Sequence, residues 1–136
     1  MGRSRTAATA STAISSVVLA VAYMFPDEFV FRAPSGYYAR SGNTVTQYIT
    51  QLMIVPVWAI VFGIPGVLLI VAALFRRKLL PIAHLYTGSI WVGYAVALWI
   101  TAIANPGTYI VVAVIVSLVA AFNLSLSDSY AERPAK

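Results

Sequence analysis

Apolar and polar positions along this chain segregate into long blocks instead of alternating every two or four residues. Residues 6–25, 41–75 and 79–127 contain no Asp, Glu, Lys or Arg. Three consecutive cations, Arg76, Arg77 and Lys78, separate the second block from the third. A helix rises about 1.5 Å per residue, so about 20 apolar residues cross a hydrocarbon core about 30 Å thick. The first block predicts one span over residues 6–25. Residues 44–75 as a single straight helix would measure about 48 Å, too long for one crossing. Their first turns are polar (Thr44, Thr46, Gln47, Tyr48, Thr50, Gln51), which sets the second span at residues 52–75. Asn105-Pro106-Gly107 reads as a tight turn and divides the last block into spans 79–104 and 108–126. Val and Ile dominate the fourth span; they are weak helix formers in water, but in lipid the backbone must satisfy itself, so helix is expected.

The connecting segments complete the picture. Residues 26–43 form the one sizeable polar stretch, with Pro26, Pro34, Gly36 and Gly42 and the aromatics Phe29, Phe31, Tyr37 and Tyr38. This composition predicts an outer loop or short hairpin lying at the head-group boundary, where aromatic rings anchor. Residues 127–136 are polar and of mixed charge, and read as a tail disordered at its end. The fold expected is a single all-α integral membrane domain over residues 1–136, with four transmembrane helices in an up-down bundle.

Charge then fixes the orientation expected. With the N-terminus inside, Arg3, Arg5, Arg76, Arg77, Lys78, Arg133 and Lys136 face the cytoplasm, and only Arg32 and Arg40 lie outside. Seven against two is the positive-inside pattern of an N-in, C-in protein in a prokaryotic-type plasma membrane. The first span admits a second reading, a signal peptide with a small-x-small site at Ala20-Val21-Ala22. That site cuts through the strongest apolar residues, and the length and flanks favour a retained helix.

Overall composition agrees with lipid as solvent. Apolar residues make up 60% of the 136 and charged residues 10%, against about 25% charged in soluble domains. The net charge of +5 sits at segment ends and not along a stripe, which favours anionic lipid head groups over nucleic acid. Arg76, Arg77 and Lys78 are the topology anchor and the expected lipid contact. The absence of cysteine excludes disulfides, thiol catalysis and cysteine-ligated metals.

Three patterns within the spans bear on mechanism. Small residues recur four apart: Thr12/Ser16/Ala20, Ala59/Gly63, Ser89/Gly93/Ala97 and Ala113/Ser117/Ala121. Such spacing lets helix backbones approach and supports a tight bundle or self-association. Pro56, Pro65 and Gly66 mark helix kinks, with a hinge or break at Gly63–Gly66 as the stronger form and packing geometry as the plainer one. His84 is the only histidine. It has no second His, no Cys and no intramembrane acid to make a haem or metal site, so it is expected to hydrogen-bond a neighbouring helix near the basic turn. Asn123-Leu124-Ser125 fits a glycosylation sequon but falls at the cytoplasmic end of a span.

Nothing in the chain pairs a nucleophile with a base, cradles a phosphate or sets two carboxylates together, so no enzyme and no cofactor are expected. Four-span small multidrug transporters depend on a carboxylate in the first span, which residues 6–25 lack. Small fluoride channels also have four spans, but no matching polar motif is present. In size, uncharged spans and short charged tail the chain resembles in outline phage-encoded membrane proteins such as holins or superinfection-exclusion factors, a likeness of format that no motif carries. The function expected is that of a non-enzymatic membrane effector acting by helix packing or oligomerisation. The alternatives are an accessory subunit of a larger membrane complex, and a small channel or transporter using the Pro56/Pro65 kinks and the entrance residues Gln47 and Gln51.

Overall fold

The computed structural model describes residues 3–25, 57–104 and 110–132. They form four helices: α1 (Arg3–Met24), α2 (Val57–Leu74), α3 (Leu80–Ala104) and α4 (Ile110–Glu132), with a 3-10 turn at Arg77–Leu79 between α2 and α3. The described chain is all-helical, and each helix is long and apolar enough to cross a membrane. Their lengths run from about 27 to 38 Å. The expected loop at 26–43, the turn at 105–107, Pro56, Gln47 and Gln51 lie outside the described residues.

Buried positions keep one rhythm along α1, α3 and α4. On α1 they include Thr9, Ala13, Ser16, Ala20 and Tyr23, and on α4 Ala113, Val116, Ala120, Asn123, Ser127 and Tyr130. On α3 they include Leu80, His84, Thr87, Trp91, Tyr94, Leu98 and Thr101. Steps of three and four alternate, giving a repeat of seven, the spacing of helices that pack knobs into holes with a left-handed coil. The seam is unusually polar, with Thr, Ser, His and Asn on it. The outward faces are apolar instead, as at Ile14, Val18, Ile64, Ile103, Val111 and Leu118.

Two antiparallel pairs make up the bundle, α1 with α2 and α3 with α4, and α2 meets α3 beside their connection. Helical bonding of α2 continues through Phe75 N–H to the Val71 carbonyl and Arg76 N–H to the Ala72 carbonyl. Arg76 then leaves the helix at φ −140°, ψ 68°. The 3-10 turn closes with Leu79 N–H on the Arg76 carbonyl at 2.8 Å. Pro81 falls in the first turn of α3, where a missing N–H goes unmissed. The start of α1, this turn and the end of α4 therefore share one end of the bundle, which carries Arg5 and the exposed Arg76, Arg77 and Lys78. Towards the other end, Tyr23, Trp58, Phe62, Trp91 and Tyr94 form an aromatic cluster, with Phe62 edge-on to Tyr94 at 5.1 Å and to Trp91 at 5.3 Å.

One expectation is corrected and two open alternatives are narrowed. First, α4 does not give way to a tail at residue 127 but runs on to Glu132. The seam itself extends that far: the Ser127 hydroxyl donates to the Pro81 carbonyl at 2.8 Å, and Tyr130 packs inward. Second, α2 is continuous across Gly63–Gly66, with no break at Pro65. Pro65 cannot donate to the Val61 carbonyl, but it is buried and held in place by packing. Third, Ser89, Gly93 and Ala121 face outward, and a Cβ added at Gly93 meets nothing within 4 Å. A run of i, i+4, i+8 advances eight residues where the seam advances seven, so Ala121, the third member on α4, drifts off the interface. On α3 the large residues Trp91, Tyr94 and Leu98 claim the interior instead. The other small residues named for packing do lie inward: Thr12, Ser16, Ala20, Ala59, Ala97 and Ala113 are buried, Ser117 is half-buried, and Gly63 faces Ala20.

Packing bears directly on the signal-peptide alternative. Without α1, the His84 ring, the Tyr130 hydroxyl and the Trp91 indole all lose a hydrogen-bond partner. We therefore expect α1 to be retained, and intact-mass measurement of protein extracted from membranes to include residues 3–24. A mature product beginning near Tyr23 would contradict this.

Candidate functional site

The most polar interior point of the bundle lies at its basic end, where α1, α3 and α4 meet. His84 enters from α3 one turn after the basic turn and is fully buried. Asn123 comes from α4, two seam positions before Tyr130, and Thr9 from the first turns of α1. The Asn123 side-chain N–H donates to the Val119 carbonyl at 2.9 Å. Its Oδ1 is thereby turned to the ring and sits 3.1 Å from His84 Nδ1. An amide oxygen only accepts, so Nδ1 carries the hydrogen.

On the other side of the ring, Nε2 lies 3.0 Å from the Thr9 hydroxyl. That hydroxyl is 2.9 Å from the Tyr130 hydroxyl and 3.0 Å from the Arg5 carbonyl one turn back on α1. The Tyr130 hydroxyl also lies 3.2 Å from the same Arg5 carbonyl. The Tyr130 ring stacks on His84 with centroids 5.4 Å apart and planes at 15°. The Arg5 guanidinium lies 5.7 Å from the centre of that ring, and its Nη1 donates to the Ser129 carbonyl at 3.2 Å. A cation near the carbonyl end of α4 is also favoured by the helix dipole.

The network leaves little unsatisfied. Among the described residues, every buried side-chain nitrogen and oxygen has a hydrogen-bond partner. Hydroxyls outside the cluster mostly turn back on their own helices, as Thr87 does to Ala83 and Thr101 to Ala97. Further along, the Trp91 indole N–H donates to Ser16 at 3.4 Å and the Tyr23 and Tyr94 hydroxyls meet at 2.7 Å. Among the described residues no three His, Asp or Glu side chains gather in a metal-binding group. The network is thus built to hold helices together and to carry hydrogens in defined directions.

His84 does bond to neighbouring helices near the basic turn, as the sequence led us to expect. No spacing in the sequence links its partners Thr9, Asn123 and Tyr130 to it, and the Asn123 amide of the sequon is buried and hydrogen-bonded, closed to a glycan. Arg76, Arg77 and Lys78 stand exposed at the same end, flanked by the exposed apolar residues Leu74, Phe75 and Leu79. Of the kink residues, Pro65 and Gly66 are buried, and Gly66 faces α1. Gly66 lies nearest to it: a Cβ there would fall 2.9 Å from Val17 Cγ2 and 3.2 Å from the Val17 backbone nitrogen.

No protein-family model, curated protein or solved structure matches the chain.

Proposed function

We propose that this chain is a small, non-enzymatic, multi-pass membrane protein that acts by packing against other membrane helices, as an oligomer. The observation that carries the reading is the contrast between a closed interior and an open small-residue face. Among the described residues the buried polar side-chain atoms of the seam are all partnered, so they are committed to the bundle itself. Ser89 and Gly93 instead face outward on α3 beside Val92 and Val96, with free space over Gly93. A face of that kind admits a second helix backbone, and lipid offers no hydrophobic reason for helices to associate without such close packing. A phage-type effector of holin or superinfection-exclusion format would use it for self-assembly, and an accessory subunit would use it to dock on a larger complex.

Because the chain has no cysteine, cross-linking tests the proposal cleanly. Gly93→Cys in native membranes, treated with a short thiol cross-linker, is expected to give an adduct, whereas Ala59→Cys in the buried seam gives none. An adduct of two copies supports the oligomer, and one to a different protein supports the subunit form. No adduct from either Gly93→Cys or Ser89→Cys would overturn the proposal. Expression that leaves membrane potential, growth and phage sensitivity of the host unchanged would remove the effector form.

The proposed orientation is N-in, C-in, with the basic end at the cytoplasmic face and anionic lipid against Arg76, Arg77 and Lys78, each worth about 1 kcal/mol. Replacing all three by Gln is expected to weaken or invert the insertion of α2 and α3, read by reporter tags on the two sides of the membrane. Unchanged tag accessibility would refute the assignment.

A further inference from the structure

We infer that His84 is a binding site for a single proton, loaded from the basic end of the bundle, with the Thr9 hydroxyl as the group that reverses to accommodate it. The inference goes beyond the packing role proposed above and does not depend on it.

The hydrogen-bond inventory leads there. Asn123 Oδ1 fixes Nδ1 as a donor in every state, because the other end of that amide is committed to Val119. Nε2 is then the one ring position whose proton can come and go. Its partner is a hydroxyl, which both donates and accepts. With the ring neutral, Thr9 donates to Nε2 and receives the Tyr130 hydroxyl hydrogen. With the ring protonated, Nε2–H donates to Thr9, Thr9 turns its hydrogen to the Arg5 carbonyl, and Tyr130 donates to that carbonyl as well. Both states use the same atoms at the same distances and leave every hydrogen with an acceptor. One proton is gained and two hydroxyls rotate. Had a carbonyl or a backbone N–H faced Nε2, only one of the two states would be satisfied.

The surroundings set the direction of entry. Tyr130, Arg5 and Ser129 lead from Thr9 to the end of the bundle. Towards the opposite end, the Thr87 hydrogen is committed to the Ala83 carbonyl, and Ser16 accepts the Trp91 indole hydrogen. The proton therefore enters and leaves on one side, which makes the site a sensor and not a relay.

Titratable and charged groups around it come from each neighbouring element. Arg5 is on α1; Tyr130, with the exposed Asp128 and Glu132, is on α4; and the exposed Arg76, Arg77 and Lys78 are on the turn before α3. The α2 helix has no titratable side chain. Arg5 and His84 both lie against the Tyr130 ring, so a charge gained at His84 sets a second cation against that ring. Proton occupancy is thereby coupled to the Arg5–Ser129 tie between the start of α1 and the end of α4.

The test uses the full chain in lipid nanodiscs with 15N-labelled histidine, which gives one imidazole because there is one His. The expected result is a neutral Nδ1–H ring at high pH that converts reversibly to imidazolium on acidification while the amide spectrum stays that of the folded bundle. At the pH where the wild type is half converted, Thr9→Val is expected to hold about tenfold less imidazolium, since Nε2–H then lacks an acceptor. Thr9→Ser restores the wild-type titration. A ring that protonates only as the fold is lost, an Nε2–H neutral tautomer, or a Thr9→Val titration identical to wild type would each overturn the inference. The first two are read on the wild-type protein, so the test stands even if Thr9→Val does not fold.

Discussion

Replacing His84 by alanine is expected to cost the folded bundle about 3 kcal/mol, from lost packing and from buried polar groups left without partners. The imidazole is fully buried and joins α3 to two other helices. Its removal strands Asn123 Oδ1, opens a cavity, and takes away the ring on which Tyr130 stacks. Thr9 and Tyr130 fare better, because they keep each other and the Arg5 carbonyl. This asymmetry gives the prediction a second part. Removing one partner of a buried hydrogen bond is costly, whereas replacing both by apolar groups of similar shape is nearly neutral. The double variant His84→Leu/Asn123→Leu should therefore recover at least half of the loss seen in His84→Ala. Reversible unfolding in mild detergent, followed by circular dichroism, measures both. A wild-type unfolding curve for His84→Ala would mean that the ring does not tie the helices. Additive losses in the double variant would mean that packing, and not hydrogen bonding, holds them.

What the sequence reveals about this bundle, and what it conceals, has a common cause. Long uncharged blocks are legible because a helix long and apolar enough to cross hydrocarbon needs about 20 residues of one kind, which leaves a one-dimensional trace. The rotation of each helix about its own axis leaves a much fainter one. In water an apolar stripe marks the inward face, but here the outward faces are apolar and the seam mixes apolar with small polar residues, so that rule does not find it. The i, i+4 runs of small residues were the available substitute, and they found the seam on α1, where Thr12, Ser16 and Ala20 are buried, but missed it at Ser89, Gly93 and Ala121. A seven-residue repeat through the polar positions would have done better. Thr9 and Ser16 are seven apart on α1, and so are Asn123 and Tyr130 on α4. The site was hidden for a different reason. Its residues come from three helices separated by 39 to 121 positions, and only one of them is conspicuous alone. An imidazole and an amide inside spans that are otherwise aliphatic, aromatic or hydroxylated were the signal that they belonged together.

Gly66→Leu is expected to separate α1 from α2 and to cost about 3 kcal/mol, at the upper end of what overpacking usually costs. Sequence alone offered Gly66 as part of a hinge; the structure gives it the work of a contact point. Even the first added carbon would approach Val17 Cγ2 at 2.9 Å, Val17 N at 3.2 Å and Ser16 Cβ at 3.3 Å. A methyl group can turn aside, although the β-branched Val17 has few rotamers to choose from. The backbone nitrogen can move only with α1 itself. Any shift of α1 at this level carries Ser16 from the Trp91 indole and, seven residues along the same face, Thr9 from His84. The loss should therefore be felt at both polar ties and not at Gly66 alone. Two further substitutions separate this effect from a general intolerance of glycine replacement. At Gly63 a Cβ meets Ala20 Cβ at 3.6 Å, an ordinary contact, and at Gly93 it meets nothing within 4 Å. Gly63→Ala should stay within about 1 kcal/mol of wild type, and Gly93→Ala should hold or slightly gain stability through its better helix propensity. The same unfolding measurement, run on all three variants, decides the matter: a Gly66→Leu protein as stable as Gly63→Ala would show that α1 and α2 do not meet at Gly66.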